Sequence, residues 1–551
     1  MPRTQNFGYA FGFLAILLIY VLVLSLVKNP EIGNLPYYTF RTFARITATY
    51  IISLVTGLFF GLLAATYKTA STILVPLFDV LQSIPILGYF PAAIIFFISA
   101  FQGAEIGLEL AAMLLLYTSM EWAIFFGIIG AVKNIPANIV EAAKSFNLEG
   151  LSYIRHVVLP AIVPALISGS TLAWGDGWFF MIAAEYITYG GVTYSLPGLG
   201  SYLAKAAYEY GDMNLAVVLL VIITALVMYI NFLTWHRLTE KAGSGAYKPI
   251  FASTWSRRFA LSGVRRLAPV RRIGMSFRFR HSVLSVSKKR MYTKIEKGVA
   301  LMALIFLVLV VVMLAQPNVP SGDEIVRSLT IPEMANLPFY TLATLARLTI
   351  AYFVSLAIAL TMGILAAERK GFALVFYPIY DIGQSVPILA LFPILFISIS
   401  QVFGGRLGLE ITSITMLVAD MIWYLFLNIV AAVKTIPDEI REVSQLLGMK
   451  GLKRIRHIIL PAIMPAVVTG SMLSWATGWN TVIFSEYMPY GSEVLSLPGL
   501  GSFLDKAAYQ EGNTVLLGFL LLVMTCLVIA VDRFVWRKLL RKIERYGAEV
   551  M

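Results

Sequence analysis

The chain has 551 residues, 59% of them hydrophobic and only 13% charged, with a mean hydropathy of +0.80. A soluble domain is about 45–50% apolar and about 25% charged, so this excess exceeds what soluble cores can hide, and disorder, collagen and (with Cys526 alone) a disulfide scaffold are excluded as well. The net charge of +13 invites a nucleic-acid reading, but residues 237–297 hold 16 basic and 2 acidic residues while everything else sums to −1, so the charge marks one segment of an integral membrane protein and no nucleic-acid partner is expected.

Membrane spans need about 20 mostly apolar residues. They are predicted near 9–27, 44–67, 72–101, 107–132, 157–187 and 213–235. The series returns near 298–316, 346–367, 374–402, 409–433, 458–488 and 514–535. Self-comparison explains the return: between Asn34–Pro91 and Asn336–Pro393, 27 of 58 positions are identical at an offset of 302, which slips to 301 further on. The fold class expected is all-α integral membrane, with twelve transmembrane helices as two parallel six-helix repeats. The first half covers 1–236, the basic linker 237–297 and the second half 298–551. The span at 9–27 reads as retained rather than as a signal peptide, because its counterpart lies mid-chain. The third and fifth spans of each half are too long for one straight helix, and Pro85, Pro91, Pro387 and Pro393 are expected to break the third.

The positive-inside rule places the linker in the cytoplasm. Lys133, Lys144 and Arg155, with Lys434, Arg441, Lys450, Lys453, Arg454 and Arg456 in the repeat, place the loops between fourth and fifth spans there too. Both termini then face the cytoplasm of a multi-pass plasma-membrane protein.

Those loops carry the most informative spacing. Ile135-Pro136 starts a helix well, Glu141-Ala142-Ala143 follows, and Asn147 suits a left-handed cap ending it. A second helix then runs into Leu159-Pro160. The copy reads Ile436-Pro437, Glu442-Val443-Ser444, Gly448 and Leu460-Pro461. This pattern resembles the cytoplasmic loop of permease subunits in binding-protein-dependent ABC importers, and the resemblance covers nearly all of both halves. In that family the loop forms a coupling helix that docks on an ATPase subunit. The resemblance assigns that role to Glu141, Ala142, Ala143, Asn147, Leu159 and Pro160, and to Glu442, Val443, Ser444, Gly448, Leu460 and Pro461. Asn147 departs from the family's Gly, and Val443-Ser444 from its Ala-Ala. Gln82-Ser83-Ile84-Pro85, Gln384-Ser385-Val386-Pro387, Trp178 through Glu185, Trp479 through Glu486 and Pro-Gly-Leu-Gly at 197–200 and 498–501 resemble the nitrate, sulfonate and taurine group.

Candidate substrate-path residues are Asp79, Gln82, Ser83, Pro85, Asp176 and Glu185 in the first half, and Asp381, Gln384, Ser385, Pro387, Asn480 and Glu486 in the second. Intramembrane charges are functional candidates by default. Alternatives stay open for each: Glu185, Glu486, Arg45 and Arg347 reach the interface or contact substrate, and Asp79 and Asp381 cap freed backbone or line the path. Glu121, Asp176 and Asp420 have no charged counterpart in the repeat; they build an asymmetric cavity or face the bundle with hydrogen bonds. Trp174, Trp178, Trp475 and Trp479 read as packing and interface anchors. No metal site is expected among four histidines.

No Gly-x-x-x-x-Gly-Lys-Ser/Thr loop occurs, so the chain is not expected to be an enzyme or to bind a cofactor, and ATP would be used by partner chains. The resemblance implies two ABC ATPase subunits, an external substrate-binding protein and alternating access driven through two coupling helices. The rival reading is a secondary transporter with two six-span repeats and no ATPase.

Overall fold

Small residues at helical spacing decide how these helices meet. In the computed structural model, which describes residues 33–236, 238 and 322–550 except positions 83, 134, 136, 149, 190, 191, 387, 437, 491 and 492, helix α1 (Leu35–Thr66) turns Thr42, Thr49, Ser53, Gly57, Gly61 and Ala64 inward. They are spaced three, four or seven residues apart, so they form one stripe. The stripe packs along α4 (Glu105–Lys133). A Cβ at Gly57 would stand 2.7 Å from Ile124 Cγ2, and one at Gly61 3.1 Å from Ile128 Cβ. Larger residues there would push the helices apart. The outer face of α1, with Phe40, Ile51, Val55 and Phe59, is exposed and apolar, as a lipid-facing surface should be. In the second half, α11 (Leu337–Glu368) repeats the stripe with Thr344, Ala351, Ser355, Ala359 and Gly363 against α14 (Gly405–Thr435).

Each third span is two helices: α2 (Lys68–Gln82) and α3 (Ile86–Ala100), then α12 (Lys370–Ser385) and α13 (Ile388–Phe403). The first break falls at Pro85, and the second lies between Ser385 and Ile388. Pro91 and Pro393 lie inside α3 and α13 and end neither, contrary to expectation. The fifth spans also depart from expectation. After the one-turn α6 (Gly150–Tyr153) and a π turn at Ile154–Val158, α7 (Leu159–Glu185) runs unbroken through Pro164. Its repeat is α17 (Leu460–Glu486), with α16 (Gly451–Arg454) and the π turn Ile455–Ile459 before it. A helix of 27 residues is about 40 Å long, which matches core plus headgroups without a break.

Between the fourth and fifth spans lie α5 (Ala137–Ser145) and α15 (Asp438–Leu446). At the other end of each fifth span the chain forms a two-stranded antiparallel hairpin, β1 (Tyr186–Tyr189) with β2 (Val192–Ser195) and β3 (Tyr487–Tyr490) with β4 (Glu493–Ser496). The all-α expectation omitted both. A short helix follows each, α8 (Leu199–Ala204) and α18 (Leu500–Asp505), and then the last spans α9 (Met213–Asn231) and α19 (Thr514–Val531). Helix α10 (Gly322–Leu329) precedes α11, and α20 (Arg537–Val550) follows α19.

Among the described residues, eight helices are long and apolar enough to cross a membrane, four in each half. The expected spans at 9–27 and 298–316 and the linker lie outside the described residues. The halves dock reciprocally. Helix α9 packs on α12 and α13, α7 on α13, and α17 and α19 on α3, so each half grips the broken span of the other.

Candidate functional site

Three places collect the residues of interest. The first is the pair of loops after α4 and α14. Asn147 has φ +53° and Gly448 φ +65°, so both loops turn left-handed after their short helix. The Leu148 N–H donates to Ala143 O at 2.9 Å, and the Met449 N–H to Ser444 O at 3.0 Å, the six-to-one bond of a Schellman cap. The small position that follows is turned inward: Ala143 and Ser444 are buried, and α5 rests on its own following π turn. Glu141, Ala142, Glu442 and Val443 are exposed. With Ile139, Phe146, Ile440, Leu446 and Leu447 they present an apolar, acid-flanked surface on each loop. Leu159 and Pro160 begin α7, and Leu460 and Pro461 begin α17. Arg454 pairs with Glu368 at 2.8 Å, tying the second loop to the end of α11.

The second place is the far end of the fifth spans. Glu185 accepts from the Thr42 hydroxyl at 2.6 Å and the Gly200 N–H at 2.7 Å, and it pairs with Arg45. Arg45 also grips Glu109 at 2.7 Å. Glu486 repeats this with Thr344 at 2.8 Å, Gly501 N–H at 2.8 Å and Arg347 at 2.7 Å, and Arg347 holds Glu410 at 2.6 Å. Both Glu are buried, so neither reaches an interface. Each is a hub joining α1, α4 and α7, or α11, α14 and α17, to the Pro-Gly-Leu-Gly loop that follows. The Pro-Gly-Leu-Gly loop now has a physical reason: a Cβ at Gly198 would stand 2.2 Å from Glu185 Oε2, and at Gly499 2.1 Å from Glu486 Oε2. Beside the second hub, Lys506 donates to Glu333 at 2.5 Å, which raises the lysine above its ordinary range.

The third place is between the halves, beside the broken spans. The Ile86 N–H, the first freed by the break after Pro85, donates to Asn480 Oδ1 at 2.9 Å. Asn480 is thus a cap supplied by the opposite half. Asp79 accepts from Gln82 Nε2 at 3.1 Å and from Arg537 at 2.6 Å, another link across the halves. Ser83 and Pro387, and the side chains of Asp381 and Ser385, lie outside what is described. Glu121 faces the bundle interior, where the Thr56 hydroxyl donates to it at 2.8 Å. The four tryptophans are buried in the core rather than at an interface.

A cavity of about 120 Å³ lies here, walled by α7 and α9 of the first half and α12, α13 and α14 of the second. Asp176 and Asp420 both line it, with Trp178, Tyr380, Gln384, Trp423 and Tyr424. The Tyr424 hydroxyl donates to Asp176 at 3.4 Å and that of Thr481 to Asp420 at 2.8 Å. Their repeat counterparts are Thr477 and Ser119, so the asymmetric-cavity alternative describes these two acids. Asp420 carried the asymmetric-cavity alternative without being placed among the path residues, and Tyr424 was not singled out at all. The absence of an acid at its repeat position was the signal for Asp420. Among the described residues no group of three or more His, Cys, Asp or Glu is disposed to hold a metal.

Comparison with known proteins agrees with this architecture. The family described as "Binding-protein-dependent transport system inner membrane component" matches twice, at residues 57–242 and 359–541. The nitrate import permease protein NrtB of Leptolyngbya laminosa is 30% identical over 183 residues, covering 33% of this chain and 60% of that protein. The bicarbonate transport system permease protein CmpB of Synechococcus elongatus is 27% identical over 184 residues, 33% of this chain and 62% of its own length. The taurine transport system permease protein TauC of Escherichia coli is 25% identical over 194 residues, 35% and 68% respectively. The chain thus spans 60% of the length of the first of these relatives and 62% of the second. Two matched regions in one multi-pass chain show that it belongs to the family of binding-protein-dependent transport permeases, with two permease units in tandem.

Proposed function

We propose that this chain supplies both permease units of an ATP-driven importer, with twelve spans, halves at 1–236 and 298–551, and a cytoplasmic linker at 237–297. Two ABC ATPase subunits dock on α5 and α15, and an external binding protein delivers a small solute to the opposite face. ATP is bound and hydrolysed by the ATPases alone. The observation that supports this reading best is the matched pair of loops. Each has a short helix with exposed apolar side chains and Glu141 or Glu442, locked at its end by a left-handed residue. A secondary transporter has no use for two such protruding surfaces.

Closure of the ATPases would push both helices together. Each loop leads directly into a fifth span, so the push reaches α7 and α17 and shifts one half against the other. The cavity between the halves would then face alternate sides of the membrane.

The test is purification of the full chain from its native membrane. An ATPase should copurify, and Glu141→Ala and Glu442→Ala should each lower solute accumulation, with Glu442→Ala at least as severe. Transport insensitive to both substitutions refutes the docking assignment, and accumulation without any copurified ATPase supports the secondary-transporter reading instead.

A further inference from the structure

We propose that the cavity between the halves receives a solute carrying a protonated amine beside a flat apolar group, rather than an oxyanion. This deepens the importer reading and rests on it only for how the solute arrives.

The argument begins with how the chain treats its acids. Glu185 and Glu486 are each answered by an arginine, as are the partly buried Glu109 and Glu410. The buried Glu121 and Asp505 have no such partner among the described residues, but they lie away from the cavity. Asp176 and Asp420 line it, no Lys, Arg or His among the described residues pairs with either, and none of the described lining residues is basic. Tyr424 and Thr481 each give one hydroxyl hydrogen bond, which orients a carboxylate without neutralising it. Carboxylates at this depth are costly unless a cation answers them. A carboxyl group without such a cation takes up a proton instead, and a cationic solute in the cavity would replace that proton.

The walls suit an amine with a ring. Tyr380 and Trp423 meet edge to face at 5.5 Å, and both line the cavity with Tyr424. Aromatic faces attract ammonium groups, and the attraction strengthens where water is excluded. Trp423 also closes against Gly383, whose added Cβ would stand 2.3 Å from the indole ring, so this wall is fixed in place. One further observation points to a ligand. The indole N–H of Trp178, which lines the cavity and is only 1% exposed, has no hydrogen-bond partner among the described residues. It supplies a donor for an acceptor atom on the same solute. The volume of about 120 Å³ is in the range that holds one small ring, since cavities near 150 Å³ bind benzene. Nitrate or bicarbonate would meet two acids and, among the described lining residues, no basic side chain.

The test uses the full-length chain in nanodiscs and equilibrium dialysis with radiolabelled benzylamine, competed by benzyl alcohol and by benzoate. Benzylamine should bind saturably, and neither competitor should displace it at equal concentration. Asp176→Asn and Asp420→Asn should each weaken binding about tenfold or more, and Asp420→Glu should restore part of it. Benzoate displacing benzylamine as well as unlabelled benzylamine does, or affinity unchanged in both Asn variants, overturns the proposal. The wild-type preference decides the matter even if an Asn variant fails to fold. A copurifying ATPase with no amine binding refutes only this substrate class. Amine binding with no ATPase refutes only the importer reading.

Discussion

Replacing Gly198 by alanine would place a methyl carbon 2.2 Å from Glu185 Oε2 and 2.5 Å from Oε1. Gly198 itself is in extended backbone (φ 176°) that alanine adopts freely, so the whole effect is steric. The carboxylate has little room to retreat, being held by Thr42, Arg45 and the Gly200 N–H. Moving it sacrifices at least one hydrogen bond to a charged group, about 1.5–3 kcal/mol. Crowding in a packed site adds about 1–3 kcal/mol, so the substitution should cost about 2.5–6 kcal/mol. Gly518→Ala in α19 is the control: nothing lies within 4 Å of its added Cβ, and it should stabilise by about 0.5–1 kcal/mol. The assay is unfolding of the detergent-purified chain, followed by the loss of monodisperse protein on size-exclusion after heating. A double-mutant cycle sharpens it. With Glu185→Ala in place the carboxylate is gone, so adding Gly198→Ala should cost almost nothing more. Full additivity, or a Gly198→Ala protein that melts like the parent, refutes the hub. Gly499→Ala against Glu486 should behave in the same way.

At the loop ends, Gly448→Ala should destabilise the second short helix by about 1 kcal/mol because φ is +65°, whereas Asn147→Gly should be neutral or mildly stabilising; proteolysis rates at the two loops measure both. Asn480→Leu removes the cap on Ile86 and should cost about 0.5–2 kcal/mol, read as faster amide exchange at Ile86 alone, and unchanged exchange there refutes the cap. Arg537→Ala should shift stability by less than about 1 kcal/mol, because the pair with Asp79 is partly solvated; a larger loss in the same melting assay would mean that the contact between halves depends on it.

What the sequence disclosed followed from how local each determinant is. The left-handed residue at Asn147, the short helix before it and the break at Pro85 depend on a few neighbouring residues, so spacing and residue type revealed them. The hubs depend on partners far along the chain: Arg45 is 140 residues from Glu185, and either residue read alone suggests an interface or a pathway. The Asn480 cap spans 394 residues and joins two halves whose docking no periodicity encodes. The hairpins were legible and were passed over. Gly190-Gly191 sits between runs rich in Tyr, Thr, Ile and Val, a turn signal, but the expected fifth span at 157–187 took in only the start of the first strand and the rest went unread. The unbroken fifth spans show that a length beyond the apolar core argues for reach into the headgroups as well as for a break.

The Asn480 cap also makes the two halves unequal tenants of one fold. The first half leaves the ribosome with the Ile86 amide unanswered, and its acceptor arrives only when the second half has been made. Its counterpart, Phe179, has no polar group to offer in return. A gene split at the linker would therefore yield one subunit complete at its own break or helped elsewhere, and another whose bent span needs a companion before it can settle in lipid. In this chain the linker does more than join two copies: it guarantees that the companion is always present, at one to one.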